Sequence, residues 1–214
     1  MSVSVTELRQ EYDRAGLREA DVAGDPIVQF GRWFDEACKA EIVEPNAMTL
    51  ATCGADGCPA ARVVLLKGYD AAGFVFYTSY LSDKAGELAE NPRASLVFWW
   101  DKLQRQVRID GTVVRVSDAE ADEYFASRPR MSQVGAWASR QSVVIGGHDA
   151  LAEAFAARDR EFEGRDVPRP GFWGGFRLRP RRLEFWQGQR SRLHDRLRYE
   201  RQDDGGWAVV RVSP

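Results

Sequence analysis

The sequence predicts a mainly β fold with flanking helices (α+β): an antiparallel barrel with helices packed outside it. Three observations lead there. Apolar runs of strand length recur between turn signals, as in "AMTLATC", "GFVFYTS" and "RASLVFWW". The helical patterns that interrupt them do not alternate regularly with the strands, as a βαβ fold would require. No G-x-G-x-x-G follows a strand, which disfavours a dinucleotide-binding α/β fold.

In chain order, "VTELRQEYDRAG" reads as a first helix closed by Gly16. "DPIVQFGRWFDEACKAEI" is a second, with Asp25 as N-cap and Pro26 at the first helical position. "AMTLATC", the turn "GADG" and "PAARVVLLKGY" form a hairpin, and "GFVFYTS" is a further strand after "YDAAG". Ser82 caps the short helix "SDKAGELAENP", which Pro92 stops. Two strands follow, "RASLVFWW" and "RQVRIDGTVVRVS". Ser117-x-x-Glu120 is a capping box that opens the helix "DAEADEYFASR". Another helix covers "HDALAEAFAARDREFEG", and "GGFRLRPRRLEFWQG", "SRLHDRLRYER" and "GWAVVRVS" return the chain to strands. The Pro/Gly-rich stretch "EGRDVPRPGFWGG" is short enough to be a loop, so residues 1–214 read as a single domain with a helical segment at 1–45.

The 44% hydrophobic and 29% charged composition is that of an ordinary globular chain. No apolar run approaches the ~20 residues of a membrane span, and "MSVSVTELRQEYDRAG" lacks the apolar core of a signal peptide. The expected location is the cytoplasm, with no membrane partner. A net charge of -2 argues against a nucleic-acid partner, so any anion site must be local. Cys38, Cys53 and Cys58 make an odd number without metal-ligand spacing and read as reduced thiols.

Five clusters could carry chemistry. "ARVVLLKGY" is bracketed by Arg62 and Lys67; five residues apart, they face opposite sides of a regular strand unless it is interrupted. By itself the stretch is a core strand with charged ends. "FYTSYLSDKAG" sets Tyr77 and Thr78 at a strand end and Lys84 in the first turn of a helix. That terminus suits a phosphate, or is a capped surface helix. "YFASRPRMSQVGAWASRQS" gathers Tyr124, Arg128, Arg130, Ser132, Gln141 and Ser142 around Pro129, on a helix end and loop. The mixture suits phosphate capture, or is a solvated connector. Gln106 in "LQRQV" could read a ring edge or face water. "SRLHDRL", preceded by Trp186, reads as a strand with Arg192, His194 and Arg196 on one face, which repel unless an anion lies across them.

Together, "NAMTLAT", "ARVVLLKGYD", "FVFYTS", "NPRASLVFWW", "RQVRIDG", "YFASRPR", "SQVGAWASRQS", "PGFWGGFRL", "EFWQG" and "RLHDRLRY" resemble the pyridoxine/pyridoxamine 5'-phosphate oxidases, FMN enzymes of vitamin B6 metabolism. The resemblance implies an FMN-binding split β-barrel homodimer with FMN at the subunit interface. It implies oxidation of a small phosphorylated pyridine by O2, and residues 170–214 as strands that complete the substrate site. Carried over residue by residue, the FMN contacts are Arg62, Val63, Val64, Leu65, Leu66, Lys67, Tyr77, Thr78, Lys84, Gln106, Gln141, Ser142, Trp186 and Arg196. Asp83, in "SDK", stands among them where the family often has Arg. The substrate contacts are Lys67, Tyr124, Arg128, Ser132, Arg192 and His194, with Arg192 and His194 the catalytic pair. Arg9 and Tyr12 match a segment that can cover the site. Two rivals are a related split-barrel oxidase acting on a phenazine precursor, and a non-catalytic pyridoxal-phosphate or flavin-binding protein.

Overall fold

Asp25 and Pro26 open a helix as their chemistry requires. In this computed structural model, which describes residues 4–8 and 11–214, α1 spans Pro26–Lys39. Pro26 lies in the first turn, where no N–H is needed, and the Asp25 carboxylate accepts from the N–H groups of Ile27 and Val28 at 2.7 and 3.3 Å.

The remaining elements are β1 (Ala47–Cys53), β2 (Pro59–Leu65), β3 (Gly68–Asp70), β4 (Gly73–Ser79), α2 (Asp83–Glu90), β5 (Arg93–Trp100), β6 (Arg105–Arg115), α3 (Asp118–Ser127), α4 (Arg130–Ala138), α5 (His148–Glu161), β7 (Trp173–Gln187), β8 (Asp195–Arg201) and β9 (Trp207–Arg211). Among the described residues the strands form one sheet in the order β2-β1-β5-β6-β7-β4-β3, with β8 pairing β7 and β9 pairing β8. The fold is thus mainly β with flanking helices. No helix is long and apolar enough to cross a membrane among the described residues.

The chain divides into two compact units. Unit 1 takes the described residues up to Thr49, Ser95–Asp110 and Pro180–Pro214; unit 2 takes Leu50–Ala94 and Gly111–Arg179. In unit 1, Phe30 and Trp33 of α1 pack on the sheet: Phe30 lies 5.2 Å from Phe98, and Trp33 meets Phe185 edge-on at 5.2 Å. Burying each such ring is worth about 2 kcal/mol. In unit 2, Phe125, Val134, Phe162, Val167 and Trp173 form a second cluster from α3, α4, the C-terminal end of α5 and the segment after it, and the start of β7.

Four expectations from the sequence need correcting. Residues 11–17 are not helical; before them, among the described residues, stands a 3-10 turn, Val5–Glu7. Their polar groups bond elsewhere in unit 1: Arg14 Nη2 donates to the Lys102 carbonyl (2.7 Å), the Arg14 carbonyl accepts from Gln189 Nε2 (3.1 Å), and the Leu17 N–H donates to Asp195 (2.9 Å). Tertiary partners thus override a local pattern worth only tenths of a kcal/mol per residue. Second, residues 130–138 form helix α4, with Pro129 at its N-cap, rather than a loop. Third, the capping box is only half made. Ser117 accepts from the Glu120 N–H, but the Glu120 carboxylate pairs with Arg177 at 3.0 Å, and Ser82 donates to the Ser79 carbonyl instead of capping α2.

The fourth is the stretch "SRLHDRL". Arg192, His194 and Arg196 do not share a strand face. Residues Arg190–Arg192 form a 3-10 turn in which Ser191 and Arg192 take positive φ (55° and 61°), and β8 begins only at Asp195. Left-handed backbone at two consecutive non-glycine residues is incompatible with a strand and costs about 1–3 kcal/mol per residue, the kind of strain that collects at functional sites.

Candidate active site

Unit 2 holds a cavity of about 550 Å³ built at the ends of β2 and β4, the start of α2 and the α3–α4 corner. It brings together Arg62, Val63, Val64, Leu65, Lys67, Tyr77, Thr78, Lys84, Tyr124, Arg128, Ser132 and Gln141. Arg62 and Lys67 both reach it because the ladder stops at Leu65: residues 66 and 67 lie between β2 and β3, and the Lys67 N–H donates to the Val75 carbonyl at 2.8 Å. Leu66 turns into the core at 5% exposure.

The charge balance of this cavity favours an anion. Four cations line it, and Glu87, 2.9 Å from Arg62 Nη2, is the carboxylate within ion-pair distance of them among the described residues. Thr52 bonds both Arg62 and Glu87. Lys84 Nζ donates only to neutral oxygens, Thr78 Oγ1 and Gln141 Oε1, each at 3.2 Å. Burial, followed by the nearby Arg62 charge, pushes the Lys84 ammonium below its ordinary value, while Asp83 and Glu87 act the other way. Burial likewise lowers Arg128, whose Nη1 has no partner. An orphaned donor among four cations, of which Arg62 alone is paired with a carboxylate among the described residues, fits a phosphate ester, which brings two negative charges and several acceptor oxygens. Burial, reinforced by Glu120, raises the Tyr77 phenol to about 12, so it stays a neutral donor.

A second cavity, of about 450 Å³, lies in unit 1 and is lined by Leu8, Glu11, Tyr12, Trp186, Gln189, Ser191, Arg192 and His194. Tyr12 meets Trp186 edge-on at 5.8 Å, and the His194 ring lies 4.6 Å from Trp186. His194 Nδ1 accepts the Gln189 N–H at 3.1 Å, so the neutral ring carries its proton on Nε2. Burial, then the Arg192 charge, lowers the His194 pKa, which keeps the ring neutral at neutral pH.

Four of the other expected residues line neither cavity. Asp83 is exposed in the first turn of α2, its N–H donating to Ser142 Oγ at 3.2 Å. Gln106 is half-buried in β6. Arg196 is held by Glu184, which is 3% exposed, through contacts of 3.0–3.1 Å, and donates to the Ser213 carbonyl. Ser142 is exposed, with φ of 66°. Arg9 lies outside the described residues. Sequence reasoning missed Pro129 and Trp173 in unit 2, and Leu8, Glu11, Gln189 and Ser191 in unit 1. For Trp173 a signal was present: two glycines follow it at a strand start.

Known proteins match this chain over most of its length. Residues 34–158 match the family Pyridoxamine 5'-phosphate oxidase, and residues 173–214 match the Pyridoxine 5'-phosphate oxidase C-terminal dimerisation region. The chain is 58% identical over 207 residues to a pyridoxine/pyridoxamine 5'-phosphate oxidase of Rubrobacter xylanophilus, covering 97% of this chain and 95% of that one. It is 56% identical over 215 residues to the Bordetella pertussis protein of the same name, at 99% and 100% coverage. Among solved structures, PhzG from Burkholderia lata, in complex with tetrahydrophenazine-1-carboxylic acid, superposes with a TM-score of 0.89 at 32% identity, over 96% of this chain and 100% of that one. An FMN-binding protein from Nostoc punctiforme shares the fold, with a TM-score of 0.70 at 18% identity over 86% and 96% of the two chains. With both family regions matched and more than half its residues identical to those of full-length relatives, the chain belongs to the pyridoxine/pyridoxamine 5'-phosphate oxidase family.

Proposed function

We propose that this protein oxidises pyridoxamine 5'-phosphate and pyridoxine 5'-phosphate to pyridoxal 5'-phosphate. FMN is its cofactor and O2 the final acceptor; H2O2 is released, with ammonia from the amine. The observation that carries this reading is the unit 2 cavity, with four cations, a single pairing carboxylate among the described residues and the orphaned Arg128 Nη1. The working form is a homodimer, supported by the dimerisation-region match at residues 173–214 and by the exposed apolar run Val143, Val144 and Ile145. The cytoplasm, where thiols stay reduced, suits three free cysteines.

Roles follow from chemistry. Lys67, Tyr124, Arg128 and Ser132 would bind the substrate phosphate; Arg62, Thr78, Lys84 and Gln141 would hold the flavin phosphate, with Ser142, outside the cavity lining, assigned there by the family resemblance. Val63, Val64 and Leu65 would offer their strand backbone beside Tyr77; Gln106, Trp186 and Arg196 are assigned to the flavin by the family resemblance alone, since Gln106 and Arg196 line neither cavity. Bound FMN supplies a two-electron acceptor that O2 regenerates. Arg192 cannot accept a proton, so its part is electrostatic and positional. His194 donates from Nε2 to the pyridine oxygen, its ring fixed by the Gln189 N–H on Nδ1. Tyr12 closes over the ring pocket.

An H2O2-release assay with added FMN tests the proposal: pyridoxamine 5'-phosphate turns over, and bound yellow flavin bleaches anaerobically. A protein that ignores FMN is a carrier instead, and one that favours a phenazine precursor over the phosphorylated pyridine is the related oxidase. Asp83 adds a second expectation. Replacing this exposed carboxylate by arginine removes repulsion near Lys84, so Asp83→Arg tightens FMN binding by roughly threefold at low salt and by less at high salt. Titration of apoprotein by flavin fluorescence measures it; weaker binding contradicts it.

A further inference from the structure

The motif "PGFWGGF" supplies no residue to the roles above, yet its tryptophan sits against the cation cluster. Trp173, 5% exposed, is the first residue of β7. In the β4–β7 ladder Tyr77 faces Gly175 and Ser79 faces Trp173, which makes Tyr77 and Trp173 diagonal neighbours on one face of the sheet. Gly175 provides the room, since a Cβ there would lie 2.7 Å from Tyr77 Cε1. Trp173, Tyr77 and Tyr124 therefore stack, with Tyr77 5.5 Å from Trp173 and 3.9 Å from Tyr124, all planes within 18°.

The Arg128 guanidinium lies 4.5 Å from the centre of the Trp173 ring and 5.4 Å from that of Phe125. A guanidinium laid on an aromatic face keeps its N–H groups pointing outward, available to an acceptor, at little further entropic cost. Arg128 makes no ion pair among the described residues, and its Nη1 is buried without a partner. The ring therefore takes the place a carboxylate usually holds. It fixes the cation without neutralising it.

We propose that Trp173 is a positioning residue for phosphate recognition: its ring holds Arg128 with Nη1 presented to the substrate phosphate, and so sets the preference for phosphorylated over unphosphorylated substrate. This rests on the assignment of Arg128 to that phosphate.

The test compares Trp173→Leu, Trp173→Phe and Arg128→Ala holoenzymes on pyridoxamine 5'-phosphate and on unphosphorylated pyridoxamine, with the FMN dissociation constant measured for each. Loss of the ring in Trp173→Leu raises KM for the phosphorylated substrate about tenfold while kcat changes by less than about twofold. The kcat/KM for pyridoxamine and the FMN affinity each change by less than about twofold. Trp173→Phe, with a smaller ring face, gives about a threefold rise, and it decides alone if the leucine variant takes up no flavin. Equal losses on both substrates, or no loss on either, overturn the proposal. So does weaker FMN binding with an unchanged substrate ratio, which would move Arg128 to the flavin phosphate. If Arg128→Ala abolishes the preference while both Trp173 variants keep it, only the role of Trp173 falls; if Arg128→Ala keeps it too, the assignment beneath falls as well.

Discussion

Replacing His194 by alanine lowers turnover of pyridoxamine 5'-phosphate by about 10²-fold, and replacing Arg192 does the same, while both variants stay yellow. The turn that carries them sets their geometry. Ser191 and Arg192 hold left-handed backbone, and the Gln189 N–H bonds His194 Nδ1, so the imidazole has one orientation and one neutral tautomer. Protonation would place a hydrogen on Nδ1 against that N–H and break the arrangement. Burial and Arg192 both lower the His194 pKa, so the acid limb of kcat/KM lies below the ordinary histidine value. Arg192→Ala removes the like charge, so His194 titrates higher and the acid limb moves to higher pH. Steady-state H2O2 release over a pH series measures both effects. Normal kinetics in both variants would remove these residues from the mechanism, and an acid limb moving the other way would refute the electrostatic part.

Glu184→Ala destabilises the fold by about 3–5 kcal/mol, read as a fall in Tm of roughly 10 °C. Glu184 is 3% exposed, grips Arg196 with both carboxylate oxygens and lies 3.5 Å from Arg108, whose Nε makes no hydrogen bond among the described residues but lies 3.5 Å from Asp110. Strand register sets this up: Glu184 of β7 faces Arg198 and Trp186 faces Arg196, so the pair reaches diagonally across the ladder. Removing the carboxylate leaves Arg196 without a counter-charge among the described residues and Arg108 with Asp110 alone. Glu184→Gln keeps acceptors for both and costs roughly 1–3 kcal/mol. Adding Arg196→Met to Glu184→Ala recovers part of the loss, because the stranded charge goes with it. A Glu184→Ala protein as stable as the parent would show that solvent already neutralises the site.

Where local chemistry is strong, the sequence was enough to place the elements. Asp25-Pro26 starts α1, and the alternation in "AMTLATC" and the apolar run "GFVFYTS" give β1 and β4 at their observed bounds. Residues 11–16 misled because their helical pattern is weak beside the hydrogen bonds that residues 102, 189 and 195 offer. Helix α4 was hidden by Pro129 and Gly135, which locally signal a loop, although Val134 anchors the helix in the unit 2 core. The left-handed turn at Ser191 and Arg192 could not be read at all, since neither residue type favours it. For the site, residue types pointed to phosphate, but that Arg62 and Lys67 share a cavity depends on where β2 ends. Likewise, whether Arg196 is free or gripped by Glu184 depends on register.

The early residues of unit 1 have their partners near the other end of the chain. The Leu17 N–H waits for Asp195, Ala23 for Tyr199 and Glu19 for Arg211, separations of 178, 176 and 192 residues. During synthesis, then, the pocket walled by Tyr12 and His194 cannot exist until nearly the whole polypeptide has left the ribosome, whereas unit 2 already has every residue up to Arg179. A nascent chain stalled short of Pro180 lacks the means to bury Trp33 against Phe185, and its sticky α1 face is what a chaperone would meet.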